Sequence, residues 1–261
     1  MPLFFCGMMP EKPRNPGRTA LRAGFAGLLL GVAMNAQAAE DVSIRRERMV
    51  AEIVQMVSDT RRETGRAALH DRVLAAMRKV DRHRFVPRSQ AAQAYDNRPL
   101  AIGRGQTISQ PYIVALMTDL LDAGPGDRVL EVGTGSGYQA AVLAEIVGEV
   151  YSIEIVEPLG REAARVLSAA GYRNVYTRIA DGYAGWPEAA PFDAVMVTAA
   201  APYVPQPLVE QLKNGGKLVI PVGEPGGAQS LYVVEKDVRG QVRQRKVLDV
   251  RFVPLTRKRA D

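Results

Sequence analysis

The sequence predicts an α/β fold, a doubly wound and mostly parallel sheet with helices ahead of it and a β extension behind it. Two observations carry this. From Arg128 to Val222 short apolar runs alternate with helical stretches. That alternation belongs to a parallel sheet covered on both faces. One junction, VLEVGTGSGYQAA (Val129–Ala141), reads as a strand, a glycine-rich turn and a helix start. The size agrees: 261 residues, 47% hydrophobic and 24% charged, suit one α/β domain with an extension, or two small domains, and exclude a disordered or fibrous chain.

Residues 1–40 stand apart. Lys12, Arg14, Arg18 and Arg22 precede an apolar run from Ala23 to Met34, followed by Ala36-Gln37-Ala38-Ala39. A basic stretch, a short apolar core and an A-x-A site form the pattern of a cleaved export signal. The run is too short for an ordinary transmembrane helix. The same residues also read as a plain extension preceding the domain.

The helices come next. Ile44, Met49, Ile53, Val54, Met56 and Val57 predict an amphipathic helix from Asp41 that ends near Gly65. Leu69, Val73, Leu74, Met77 and Val80 predict a second. Phe85-Val86-Pro87 ends it, because proline disfavours helix in the residue before it. Residues 96–108, with Pro99, Gly103 and Gly105, read as an irregular loop. Ser109-Gln110-Pro111 opens a third helix, whose Ile113, Leu116, Met117, Leu120 and Leu121 form one buried face. Gly124-Pro125-Gly126 closes it.

Strands are predicted at Arg128–Val132, Glu149–Ile153, Asn174–Ile179, Phe192–Val197 and Lys217–Val222. Helices are predicted at Tyr138–Val147, Pro158–Ala170 and Pro207–Leu212. Ser230–Glu235 and Val242–Val253 alternate like strands around Gly240 and predict a hairpin at the sheet edge or a small added sheet.

Composition excludes several chemistries. The net charge of +6 is dispersed, whereas phosphate binding wants a concentrated patch, so nucleic acid is not an expected partner. Cys6 is the only cysteine, which rules out an intramolecular disulfide, a cysteine metal cluster or an iron–sulfur centre. His70 and His83, the only histidines, lie outside any H-E-x-x-H pattern, so no metal is expected.

The glycine turn is the most informative stretch. Gly133, Gly135 and Gly137 let the backbone turn sharply and approach a ligand closely. The helix start behind them offers N–H groups and a positive dipole end. Two readings compete. A dinucleotide fold wants G-x-G-x-x-G; Gly135-x-Gly137-x-x-Ala140 meets it weakly and leaves an NAD-linked oxidoreductase open. Glu131-x-Gly133-x-Gly135-x-Gly137, with Thr134 and Ser136 between, is the acidic loop of S-adenosylmethionine-dependent methyltransferases. There the loop takes the amino-acid end of the cofactor, whose charges suit Glu131. Glu154, at the end of the next strand, can accept both ribose hydroxyls. Asp181-Gly182, after the third strand, can accept from an adenine amino group and let the ring lie against the backbone. Each has a plainer reading: Glu131 as a loop cap, Glu154 as an ion-pair partner, Asp181-Gly182 as a turn. Three acidic residues at successive strand ends favour the methyltransferase-type sheet, since open α/β sheets bind ligands at those ends.

The chain resembles the protein-L-isoaspartate (D-aspartate) O-methyltransferases. The resemblance lies in GRGQTISQPYIVA (Gly103–Ala115), VLEVGTGSGYQAA, VYSIE (Val150–Glu154), FDAVMVTAAAP (Phe192–Pro202), LKNGGKLVIPVG (Leu212–Gly223) and VRFVPL (Val250–Leu255), and spans nearly everything after Asp71. The T-I-S-Q-P element is the specific part. The resemblance implies transfer of a methyl group from S-adenosyl-L-methionine to the free α-carboxylate of L-isoaspartyl and D-aspartyl residues in damaged proteins. S-adenosyl-L-homocysteine is then the product, and the ester closes to a succinimide. It implies Ser109 as the residue orienting the acceptor, Thr107, Ile108 and Gln110 as lining of the same loop, and Val253, within Val250–Leu255, as a contact for substrate backbone. Ser109 is also what a helix N-cap requires.

The division expected is 41–108 for N-terminal helices and substrate loop, 109–223 for the cofactor-binding core and 224–261 for the β extension. A monomer without stable membrane association is expected. The cofactor requirement implies the cytoplasm; residues 1–38 acting as a signal would imply the periplasm. A non-catalytic binder of damaged chains is the third reading, against which the intact acidic set argues.

Overall fold

The computed structural model describes residues 41–224 and 227–257. The signal-like segment lies outside them. The chain divides between Arg45 and Arg46, and every described strand belongs to the second unit.

Residues 41–59 are helical (α1), and α2 (Arg61–Thr64) ends at Gly65 in a left-handed cap. Met49, Ile53 and Val57, one helical turn apart, are buried. The second predicted helix is α3 (Asp71–Lys79). Two short 3-10 turns follow, Arg82–Phe85 and Arg88–Gln93.

The stretch expected to be irregular is a hairpin. β1 (Leu100–Gly103) pairs antiparallel with β2 (Gln106–Ile108). Its turn is Arg104-Gly105, both with positive φ (55° and 73°). That geometry matches the twist of paired strands in a two-residue loop. Arginine seldom takes that conformation, which is why the sequence does not announce a hairpin.

α4 (Pro111–Leu121) starts and stops near the predicted places, but its last turn closes on Asp122 in the left-handed conformation, ahead of Gly124. It is buried on nearly every side, not on one face. It packs against α3, against the sheet and against the helix after the glycine turn, so little of it is left for water.

The remaining elements are β3 (Arg128–Val132), α5 (Tyr138–Ala144), β4 (Glu149–Glu154), α6 (Glu157–Ala169), β5 (Val175–Ile179), β6 (Phe192–Val197), α7 (Gln206–Glu210), β7 (Leu212–Gly223), β8 (Gln229–Lys236) and β9 (Val242–Val250). The sheet order is β5-β4-β3-β6-β7-β8-β9. β5, β4, β3, β6 and β7 are parallel; β8 and β9 join antiparallel at the β7 edge. The extension is therefore part of the one sheet, not a second one. Strands β3 and β6 are buried almost end to end, as a sheet covered on both faces requires. Leu130, Val132, Val195, Val197, Leu218 and Ile220 form its core.

This order places the site. From β3 the chain winds outward through β4 and β5, then returns to the other side of β3 as β6. The connections leave β3 in opposite directions, and a crevice opens at its carboxyl end.

Candidate active site

The glycine turn sits in that crevice, and its geometry accounts for glycine at alternate positions. Gly133, Gly135 and Gly137 all take positive φ (102°, 53° and 86°). A side chain at Gly133 would stand 2.4 Å from the Thr198 hydroxyl. That hydroxyl donates to the Gly133 carbonyl at 2.6 Å and locks the turn to the end of β6. The N–H groups of Gly133 and Thr134 donate to Ile153, tying it to β4 on the other side. Gly137 is the N-cap of α5, packed on Leu167 behind the turn.

Glu154 closes the turn from β4. One carboxylate oxygen accepts from the Gly135 N–H at 2.8 Å, the other from the Val156 N–H at 2.9 Å. The side chain is held rigid at the cleft wall, with lone pairs left on each oxygen. Asp181 accepts from the Tyr183 N–H at 2.9 Å and caps a short turn, as the plain reading allowed. Gly182, not Asp181, lines the cleft; a side chain there would run into Val132 Cγ1 at 2.3 Å.

Glu131 departs from expectation. It is fully buried behind the turn and does not line the cleft. Ser152 donates to it, and Ser152 in turn shares a hydrogen bond with Thr134. Burial pushes its carboxyl up to about 8 from an ordinary 4.5; the Ser152 hydrogen bond opposes this and the charge of Glu154 adds to it. At neutral pH it is a neutral acid supporting the loop, not a charge facing a ligand. Between pH 4.5 and 8 the unfolded chain has released this proton and the folded chain keeps it. Its stabilising contribution is therefore full below the lower value and is lost as pH rises through the upper one. Glu131→Gln is expected to flatten that decline, which runs at about 1.4 kcal/mol per pH unit for one proton. Urea unfolding at pH 5 to 9 measures it; an unchanged slope would contradict the assignment.

The facing side of the crevice is built by the hairpin and the start of α4. Ile102 lies 3.6 Å from where a Gly135 side chain would begin, so the hairpin rests on the glycine turn. Ser109 is not the helix cap. The N-cap is Gln110, without a side-chain cap bond, and the Tyr112 N–H is taken by Asn97 at 3.0 Å. The Ser109 hydroxyl has no hydrogen-bond partner among the described residues. Ile108 is buried and lines the cleft at the glycine turn, whereas Gln110 lines a second groove. That groove runs past Met56, Tyr112, Ile113 and the 248–253 segment. Thr107, Ser109, Thr198 and Val253 line both cavities, so the two meet there.

Val250–Leu255 is a correction. The strand expected to reach Val253 ends at Val250. Beyond it the Val253 carbonyl accepts from the Ala200 N–H (2.8 Å), and the Leu255 N–H donates to the Ala200 carbonyl (2.7 Å). The backbone thus forms a fixed wall of the cleft, with the Val253 N–H unengaged among the described residues.

Sequence reasoning missed Thr198 and Asn97. Thr198 was discoverable: it follows a wholly apolar strand and so falls at the carboxyl edge of the sheet. Asn97 carried no such signal. His83, which precedes the sheet in the sequence, contacts Tyr95 and lines neither cavity. Among the described residues no cluster of three or more His, Cys, Asp or Glu could hold a metal, and no helix is long and apolar enough to cross a membrane.

Comparison with known proteins identifies the family. Residues 52–260 match the family model for protein-L-isoaspartate(D-aspartate) O-methyltransferase. Protein-L-isoaspartate O-methyltransferase 2 of Polaromonas sp. is 59% identical over 81% of this chain and 100% of its own length. Protein-L-isoaspartate O-methyltransferase 1 of Cupriavidus necator is 52% identical over 95% of each chain. A Plasmodium falciparum homologue, solved in complex with S-adenosyl-L-homocysteine, superposes with a TM-score of 0.65 at 27% identity, covering 79% of this chain and 98% of its own. The chain belongs to the protein-L-isoaspartate (D-aspartate) O-methyltransferase family.

Proposed function

We propose that this protein transfers the methyl group of S-adenosyl-L-methionine to the free α-carboxylate of L-isoaspartyl and D-aspartyl residues in damaged proteins, starting their repair through a succinimide. One observation carries the reading. The junction of the two cavities is lined by Thr107, Ser109, Thr198 and Val253, none of which ionises near neutral pH. Such a junction suits an acceptor that arrives already charged. A carboxylate, with an intrinsic pKa near ~4, needs no general base. The cofactor supplies a methyl carbon activated by the adjacent sulfonium. The oxygen–carbon bond forms as the carbon–sulfur bond breaks, giving a methyl ester and S-adenosyl-L-homocysteine with no proton transferred. What remains for the protein is alignment and exclusion of water.

Gly133, Thr134, Gly135, Ser136 and Gly137 take the amino-acid end of the cofactor, and Glu131 supports that turn from behind. Glu154 accepts the ribose hydroxyls on lone pairs its two backbone partners leave over. Gly182 gives the adenine a flat wall, with Asp181 at its edge. The Ser109 hydroxyl donates to one oxygen of the acceptor carboxylate. Thr107, Gln110 and the free N–H of Val253 hold the substrate chain around it, through contacts indifferent to most side chains, while Ile108 packs on the cofactor side of the same loop.

Incorporation of labelled methyl into an isoaspartyl peptide, beside its aspartyl twin, tests the proposal. Base-labile label in the first alone is expected; equal labelling of both, or none, would refute it. We place the protein in the cytoplasm as a monomer, because its cofactor is made there. Fractionation with N-terminal sequencing tests the compartment, and cleavage after Ala38 would move it to the periplasm. Light scattering tests the monomer.

A further inference from the structure

Arg82 is fully buried, and no carboxylate pairs with it among the described residues. Its Nε donates to the Ala94 carbonyl at 2.8 Å and one terminal nitrogen donates to the Ser109 carbonyl at 2.7 Å. The other terminal nitrogen has no partner among the described residues. The guanidinium lies over the Tyr138 ring, 4.7 Å from its centre. Burial lowers its pKa to about 10, so it stays charged at neutral pH.

Burying a cation without a counter-ion is costly, and an apolar side chain would fill the space at less cost. What an apolar residue lacks is the fork. Arg82 bridges two carbonyls from segments distant in sequence and rests on the first residue of the helix behind the glycine turn. A guanidinium spans both acceptors in a fixed plane; an ammonium reaches as a point charge.

We propose that Arg82 is a positioning residue for methyl transfer: by holding the Ser109 carbonyl against α5 it sets the direction of the Ser109 hydroxyl relative to the bound cofactor. It touches neither substrate nor cofactor. The inference rests on the role proposed for Ser109.

The test is a double-mutant cycle in the full chain. Turnover of an isoaspartyl peptide at saturating cofactor is measured for Arg82→Lys, Ser109→Ala and the double variant, with S-adenosyl-L-homocysteine affinity by calorimetry. Arg82→Lys is expected to lower kcat by roughly 10- to 100-fold, the scale of a small misplacement. It should leave the dissociation constant within about twofold, and change turnover by no more than about twofold once Ser109 is alanine. Losses that multiply, an unchanged kcat, or an equal loss of affinity would each overturn the proposal for Arg82. Full turnover in Ser109→Ala alone would instead overturn the role of Ser109, and this inference with it; the two failures are read from different variants. Should circular dichroism show Arg82→Lys unfolded, Arg82→Met, which fills the same space without the fork or a buried charge, enters the same cycle with the same expected and overturning results.

Discussion

Ser109→Ala is expected to lower kcat for an isoaspartyl peptide by roughly 10- to 100-fold, while S-adenosyl-L-homocysteine binds as before. The reason for so clean a split is the start of α4. A serine before a helix usually caps it, and its loss would then cost about 1 kcal/mol of stability. Here Asn97 takes the Tyr112 N–H and leaves the Ser109 hydroxyl unengaged. Folding stability should therefore change by no more than about 0.5 kcal/mol in the serine variant. Asn97→Ala should behave the other way, losing about 1 kcal/mol. Steady-state kinetics and urea unfolding of the two variants provide the comparison. A serine variant with normal turnover, or one that is markedly less stable, would return the residue to a structural role.

Glu154→Ala is expected to weaken S-adenosyl-L-homocysteine binding by roughly 10- to 100-fold, measured by calorimetry. The carboxylate stands between the turn and the cleft, with the Gly135 and Val156 N–H groups on its two oxygens. Its removal deletes the acceptor proposed for the ribose and releases the Gly135 and Val156 N–H groups. Hydrogen bonds to a charged group contribute about 1.5–3 kcal/mol each, so losing one to the ligand accounts for the range. Glu154→Gln keeps one oxygen acceptor and should fall between. Equal affinity in all three proteins would remove Glu154 from the cofactor site.

Much of the sheet was legible because its strands are buried on both faces. Runs such as FDAVMV admit few other structures, and the observed bounds of β3 and β6 coincide with the predicted ones. The glycine spacing was equally clear, since three successive alternate residues need positive φ. Local pattern failed where partners come from far away. α4 has an apolar stripe in its sequence, yet neighbours on every side bury the rest of it. Ser109 looked like a cap because nothing near it reveals that Asn97 caps instead. Glu131 looked like a charge in the site, but only the fold shows that no solvent reaches it. The β1–β2 hairpin was invisible because its strands are short and its turn places an arginine at positive φ. Arg82, one basic residue in a basic stretch, becomes distinctive only when its carbonyl partners are seen.

The cleft at the glycine turn draws its walls from residues 106–109, 114, 132–136, 138–139, 153–156, 182, 198–199 and 253–256. No fragment that lacks part of residues 106–256 contains them all, and an unfolded chain is expected to have no affinity for the nucleoside. Occupancy is therefore a thermodynamic clamp on the complete tertiary structure: product at a hundred times its dissociation constant should add about 2.7 kcal/mol to unfolding. A repair enzyme working in a cell of ageing proteins is thus expected to resist denaturation more as its supply of nucleoside ligand rises, with the logarithm of that supply.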